Sequence, residues 1–459
     1  MRGIAVADVG YTHTKLILFN EKLEILAERK ISSSHPEGPP YKSNDPAPAL
    51  AFFAKAIPEL DAILPIDVII PCGHGAAVVA LDEKGELVLP AMDYNAEPPS
   101  DVIAAYKKIM PDFAESASPF LPMALMHGMQ LFWMQQKWPD AFAKTKHILP
   151  WIQYMGYRLS GSLACEITSM CCQSHLMNVP ESKLSSLVVN QGWAPFFAPI
   201  RPAWEEIGRL RPEFCGQGLK GEARVLTGVH DSSANFLRYL AGGKAHFTLV
   251  STGTWSIAFD TDTKLEALVE NLDTSANRDV LGRVVACSRF FGGREFDLLA
   301  GDSAKLEPSL DVAKSLIANG IMALPSFSSS PGPKPGTADQ GKIIGAIKTP
   351  LERVTLASIY CAQMVSAQLD ALYSSHDIIL DGPFTQNPVL LSILASLRPK
   401  QKLWSSNLSN GTAAGAACLA LMADGKLPQV DINMKLIEPE EIPSLAQYQA
   451  EWEKNSKPH

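Results

Sequence analysis

Apolar positions gather in short runs at two places in the chain, and at each place the run is broken by a glycine turn and then resumes. Residues 3–8 are apolar and rich in strand formers, Gly10 to Thr12 supply turn chemistry, and residues 15–19 return to an apolar run before Asn20-Glu21-Lys22. This pattern predicts a hairpin at the start of the chain. Residues 245–251, the turn at Thr252-Gly253-Thr254, and residues 255–259 repeat the arrangement before Asp260-Thr261-Asp262. Two stretches of about 240 and 215 residues therefore begin alike, which suggests a duplicated α/β unit. Helical spacing predicts helices over residues 123–136, 139–146, 351–373, 389–397 and 445–454, so strands and helices alternate in both halves. The expected architecture is layered α/β with two domains, 1–242 and 243–459, joined at Ala241-Gly242-Gly243-Lys244. Residues 326–341, dense in Ser, Pro and Gly, read as a long loop.

Composition narrows the function. The 459 residues carry 40 Lys and Arg against 48 Asp and Glu, a net charge of −8, with no basic block, so a nucleic-acid partner is not expected. The longest apolar stretches fall short of the ~18 residues that suggest a membrane span, and Asp8 interrupts any signal-peptide core, so a soluble, cytoplasmic protein with small-molecule partners is expected. The eight cysteines lack paired CxxC spacing and read as small buried hydrophobes in a reducing compartment, without a thiolate-bound metal. Oligomeric state is not legible, and a homodimer stays open.

Candidate chemistry sits at the turns. Asp8-Val9-Gly10-Tyr11-Thr12-His13-Thr14-Lys15 places a carboxylate at a strand end, a tight-turn glycine, two hydroxyls and an ammonium. Such a turn can hold Mg²⁺ through Asp8 while Gly10, Thr12, Thr14 and Lys15 meet phosphate, or it can be an ordinary polar hairpin. Gly253 and Thr254 offer a second phosphate-type turn. Asp381-Gly382-Pro383-Phe384-Thr385-Gln386-Asn387 links an apolar strand to a helix start, a place for a nucleotide where Gly382 would allow close approach. The small residues Asn410 to Ala417 predict a helix packing closely beneath that site. Asp231, after Gly228-Val229-His230, is the carboxylate best placed to act as a base; His230 either binds substrate or orients Asp231. Cys72-Gly73-His74-Gly75 follows another strand, with glycines that would let a ligand approach while His74 bonds a hydroxyl.

In this order the segments resemble the FGGY carbohydrate kinase family of the actin-like ATPase superfamily, over nearly the whole chain. The family's phosphate motifs match Asp8 to Lys15 and Thr252-Gly253-Thr254, its sugar segment matches Gly73-His74-Gly75, and its Gly-x-x-Asp segment matches Gly228 to Asp231. Gly293 and Asp297, then Gly382, Gln386 and Asn387, stand where its nucleotide contacts lie, and Arg158-Leu159-Ser160-Gly161 with Glu166-Ile167-Thr168-Ser169 resembles a further segment. The resemblance implies two ribonuclease H-like, actin-like domains with an active site in the cleft between them, an N-terminal domain for sugar and base, and a C-terminal domain for nucleotide. It implies ATP and Mg²⁺ as cofactors and a ketose substrate, first an L-rhamnulose or L-fuculose type and next a xylulose. A non-catalytic, actin-like sensor or ATP-driven module is the alternative of another class. Three departures stand out: Leu324-Pro325-Ser326-Phe327-Ser328-Ser329-Ser330 replaces a Gly-Glu-containing signature, Ala91-Met92-Asp93-Tyr94 replaces a Trp-x-Asp segment, leaving Asp93 as the candidate sugar ligand, and Asp381-Gly382-Pro383 replaces Gly-Gly-Ala.

Overall fold

The computed structural model describes residues 2–406 and 410–457. The chain forms two units: Met1–Lys244, Ala276–Val284 and Asn410–Ile432 make the first, and Ala245–Ser275, Val285–Ser409 and Asn433–His459 the second. The first segment of the first unit ends at Lys244, beside the expected cut at 242/243, and two later segments also belong to that unit.

The first unit is built on strands β1 (Gly3–Val9), β2 (His13–Phe19), β3 (Ile25–Ser32), β4 (Ile66–Gly73), β5 (Glu206–Arg209) and β6 (Arg224–Leu226), in the order β5-β6-β4-β1-β2-β3. The short β7 (Val229–His230) also pairs with β4. β1 is almost wholly buried, which is why it reads as a continuous apolar run, whereas edge strand β3 leaves Arg29 and Lys30 exposed. Ile4, Val6, Ile17, Phe19, Val68 and Ile70 join the core beneath helix α1 (Asp231–Ala241).

The second unit repeats the plan. Strands β8 (Phe247–Thr252), β9 (Ser256–Asp260), β10 (Val284–Phe290), β11 (Asp377–Asp381), β12 (Leu403–Ser406) and β13 (Lys435–Ile437) run in the order β13-β12-β11-β8-β9-β10, with a seventh strand, Thr274–Arg278, beside β10. Position by position the two orders agree in direction as well. β1 and β8 each take an antiparallel partner through a hairpin and a parallel partner on the other side, with an antiparallel strand at the far edge. The duplication suggested by two similar hairpins thus extends through each sheet.

Helix α2 (Gly292–Ala300) follows β10, and α3 (Pro350–Ala371) starts on a reciprocal cap in which the Glu352 amide donates to Thr349 Oγ1 at 3.1 Å and Glu352 Oε2 accepts from the Thr349 amide at 3.1 Å. Helix α4 (Pro388–Leu397) begins at Pro388 as its turn chemistry predicts. The helix expected over 123–136 starts only at His127, because Met123 sits in a turn at φ 55°. The stretch expected to be helical over 139–146 is helical only as Pro139–Phe142. Helix α5 (Gly411–Ala417) packs closely, as its small residues predict, but against α1 of the first unit: a Cβ at Gly415 would stand 1.8 Å from the Ala234 carbonyl oxygen. Among the described residues no helix is long and apolar enough to cross a membrane.

Candidate active site

In the first unit the sequence Gly228-Val229-His230-Asp231 forms a turn that ends in the first residue of α1. Gly228 adopts φ 86°, and a Cβ there would meet the Pro71 carbonyl oxygen at 2.4 Å, so only glycine lets the chain pass β4 at this point. Asp231 Oδ1 accepts from the Ser232 amide at 2.6 Å and lies 3.0 Å from His230 Nε2, with its side chain 31% exposed. Burial pushes the Asp231 carboxyl up, but His230 outweighs burial and holds it below the usual carboxylate range. Burial disfavours the charged form of His230, yet the Cys172 sulfur, 3.4 Å from Nε2, and Asp231 raise it well above its ordinary value. The pair is thus an ionised carboxylate beside an imidazolium.

That pair stands on a buried support. Thr168 Oγ1 accepts from the His230 amide at 3.1 Å and donates to Glu166 Oε2 at 2.6 Å, and the same oxygen accepts the amides of Thr168 and Ser169 at 2.9 and 3.2 Å. Glu166 is fully buried, and burial above all raises its pKa to about 7 against those hydrogen bonds. The Ser233 hydroxyl meets His230 Nδ1 at 3.3 Å, so both ring nitrogens have partners.

The hairpin β1–β2 brings Asp8 directly opposite Lys15. Burial first, then the charges of Asp231 and Glu28, raise the Asp8 pKa to about 7, and Lys15 offsets only part of this. Lys15 Nζ donates to Asn410 Oδ1 at 2.9 Å, and Asn410 donates in turn to Glu28 Oε2 at 2.8 Å, so α5 also fixes the ammonium. Thr12 is exposed at the turn. Thr14 differs from expectation: it is buried, and its hydroxyl meets Ser33 Oγ at 3.2 Å, where Ser33 in turn donates to the Gly10 carbonyl at 2.8 Å. Those bonds brace the turn.

The sugar candidates divide. His74 is buried with Nδ1 unpartnered, and burial lowers its pKa to about 4, leaving a neutral ring able to donate or accept one hydrogen bond. The glycines beside it serve packing: a Cβ on Gly73 would lie 2.4 Å from the Val9 carbonyl oxygen, and one on Gly75 2.7 Å from both Cys172 Sγ and His230 Cδ2. Protein atoms fill the space in which a ligand was expected to approach Gly73, which corrects that expectation. Asp93 is fully buried, accepting from the Asn95 amide at 2.7 Å and from the Tyr11 hydroxyl at 3.2 Å, with His35 Nδ1 at 2.9 Å. Its carboxylate orients Tyr11 and Asn95, which also bond each other at 2.6 Å.

In the second unit Gly253, Thr254, Gly293, Asp297, Gln386 and Asn387 line one cavity of about 640 Å³, a size suited to a cofactor. Gly253 keeps open space, since a Cβ there would meet nothing nearer than 3.8 Å. Gly293 seats α2 on the turn, with its amide donating to the Gly253 carbonyl at 3.1 Å. Gly382, at φ 90°, lets the two turns touch: a Cβ would fall 2.1 Å from the Thr252 carbonyl oxygen, so the close approach it permits is that of backbone. Asn387 Oδ1 caps α4 by accepting from the Leu390 amide at 2.9 Å, and its amide nitrogen donates to Ser358.

Several residues escaped the sequence reading. Arg294, Lys305, Phe296 and Phe384 also line the cavity, where the two cations are matched in number by the carboxylates of Asp297 and Glu307. Glu295, between the expected Gly293 and Asp297, is fully buried and accepts from the amides of Phe327 and Ser328 at 2.8 Å and from the Tyr360 hydroxyl at 2.9 Å. It ties the altered 324–330 segment to α2. Only its i−2 and i+2 neighbours on a helix pointed to it.

Comparison with known proteins identifies the family. The model of the FGGY family of carbohydrate kinases, N-terminal domain, matches residues 4–237, and that of the carbohydrate kinase FGGY C-terminal domain matches residues 244–429. A carbohydrate kinase from Novosphingobium aromaticivorans is 31% identical and superposes with a TM-score of 0.88 over 99% of this chain and 100% of that one. A xylulose kinase from Rhodospirillum rubrum (17% identity, TM-score 0.80, 99% and 97% covered) and Plasmodium falciparum glycerol kinase with ADP (15%, 0.82, 99% and 97%) share the fold. A rhamnulokinase from Bacillus subtilis (strain 168) is 27% identical over 188 residues, 39% of this chain and 37% of that protein's length.

Proposed function

The chain belongs to the FGGY family of carbohydrate kinases, and we propose that it moves the γ-phosphoryl group of ATP to a primary hydroxyl of a ketose, with Mg²⁺ as metal cofactor. The observation that carries this reading is the part-exposed carboxylate of Asp231, kept ionised by His230. An ionised carboxylate accepts the proton that the sugar oxygen gives up as it bonds to phosphorus and the terminal phosphate bond of ATP breaks. Because that transition state is loose, the oxygen needs little activation until late, so a base of low pKa suffices. His230 stabilises the negative form and orients it.

The residues around Asp8 fit a hard divalent cation. Asp8 carries more negative charge around it than Lys15 compensates, and Mg²⁺ accepts one or two carboxylates together with waters and phosphate oxygens. When bound, Mg²⁺ supplies charge neutralisation at the phosphates. Lys15 and the exposed Thr12 would meet phosphate oxygens from this hairpin, and Gly253 and Thr254 would meet them from the second. The cavity lined by Gly293, Asp297, Gln386 and Asn387 would take the nucleoside, with Arg294 and Lys305 favouring its anionic end. Asp93 would serve the sugar through Tyr11 and Asn95, and His74 would do so through its neutral ring.

Among ketoses we place the acceptor with 6-deoxyketohexoses such as L-rhamnulose or L-fuculose, phosphorylated at O1. His230 immediately before Asp231 supports this choice, as does the partial match to a rhamnulokinase. His74 between glycines supports a xylulose as the second reading. An ADP-release assay over a ketose panel, with a no-sugar control, tests both. The highest kcat/KM is expected on a 6-deoxyketohexose; a maximum on a pentulose favours the second reading, and ADP release that ignores sugar overturns both.

A further inference from the structure

We propose that His246, Asp262 and His376 form a site for a borderline divalent transition metal, with Zn²⁺ as the representative ion, that ties together three strand ends of the second unit. Their ligand atoms lie within 4.8 Å of one another, and among the described residues no other three His, Cys, Asp or Glu side chains come so close. His246 Nδ1 stands 2.7 Å from Asp262 Oδ1, His376 Nε2 stands 3.6 Å from Asp262 Oδ2, and the imidazole centroids are 5.3 Å apart. Two ligands on one tetrahedral zinc, each at about 2.0–2.2 Å, lie about 3.3 Å apart, between the two distances found here.

Strand register creates the cluster. Antiparallel pairing of β8 with β9 puts Thr248 opposite Asp260, so two residues outward His246 faces Asp262. Parallel pairing of β8 with β11 puts Phe247 beside Asp377, so one residue outward His246 neighbours His376. The backbone thus delivers two imidazoles and one carboxylate to one point, leaving a fourth position for water. Outer contacts hold the carboxylate: Thr261 Oγ1 donates to Asp262 Oδ2 at 2.5 Å, and the Asp262 amide donates to Asp260 Oδ1 at 2.9 Å. Imidazole nitrogen ligands suit zinc, cobalt or nickel better than magnesium. The site lies at the opposite end of β8 from Gly253, roughly 20 Å along the strand. Its role is therefore to hold the ends of three central strands together rather than to meet phosphate.

The test uses the full chain, stripped with a chelator and dialysed against Zn²⁺ or Co²⁺ without nucleotide. One ion per chain is expected, with the visible absorption of Co²⁺ in a site of low coordination number and a rise of several degrees in Tm. His246→Ala and His376→Ala should each abolish binding and the Tm rise; both side chains are exposed, so their apo forms should unfold near the wild-type temperature. Asp8→Asn, which removes the proposed Mg²⁺ ligand, should leave the zinc stoichiometry unchanged. Absence of a stoichiometric ion, retention of the ion after both histidines are replaced, or its loss in Asp8→Asn overturns the assignment.

Discussion

Strand β1 turns through Gly10 into β2, and β8 turns through Gly253 into β9, each flanked by a parallel strand on the other side, yet the two turns treat charge in opposite ways. The first sets Asp8 against Lys15 and accumulates carboxylates around them. The second is neutral; its Thr252 hydroxyl donates to the Asp381 carbonyl at 2.6 Å and accepts from the Phe384 amide at 3.1 Å, so it fastens the adjoining turn. One hairpin carries charge and the other carries space. A duplicated scaffold has kept its strand order while the chemistry of its two hairpins has diverged.

That contrast can be broken most severely at the base. Asp231→Asn should lower kcat by roughly 10²–10⁴-fold while the KM for ATP changes little, because the cavity proposed for the nucleotide is lined by second-unit residues alone. Retained turnover would remove Asp231 from the chemistry. Asp8→Asn should cost about 10²-fold and raise the Mg²⁺ concentration needed for half-maximal rate, which a magnesium titration reads. An equal loss at all magnesium concentrations would mean that Asp8 serves only the fold.

Steric substitutions sharpen the other side. Gly253→Ala meets open space and should fold normally while raising the KM for ATP about tenfold. Gly382→Ala should instead destabilise by about 3 kcal/mol or more, since it adds a Cβ 2.1 Å from backbone in a left-handed conformation, and denaturant titration measures this. Similar behaviour of the two variants would refute the distinction between the open and the filled glycine.

A smaller effect is expected in the support under His230. Glu166 has a folded pKa of about 7 against 4.5 for the free group, so the native state binds the extra proton between those values. Stability from this residue is present at low pH and is lost as pH rises from about 4.5 to 7, a change of up to roughly 3 kcal/mol. Glu166→Gln should flatten that portion of the stability profile and narrow its gap to wild type below pH 5. An unchanged profile would place the titration elsewhere.

Much of this was legible along the chain. Both hairpins, the strand-to-helix turn at 381–388 and the helix at 350–371 announce themselves through period and turn residues. Gly253, Thr254, Gly293, Asp297, Gln386 and Asn387 were readable from their turns because short connections fix their neighbours, whereas Arg294, Phe296 and Lys305 were not. Glycine meaning was not legible: Gly253 is open while Gly73 and Gly382 abut backbone, and only register decides which. Nor was the Glu166-Thr168-His230 chain, whose partners are separated by 62 residues and meet only through packing. Thr14 misled because strand alternation turned its hydroxyl toward Ser33.

The return of Asn410–Ile432 to the first unit bears on how the protein is made. Until the ribosome has passed Ile432, α1 lacks the neighbour that Gly415 brings against it and Lys15 lacks Asn410. Translation from Lys244 to that point, at about 5–20 residues per second, lasts on the order of 10–40 s. The first unit synthesised is therefore among the last to be finished, and through that interval its nascent chain exposes an apolar helix face that chaperones can recognise.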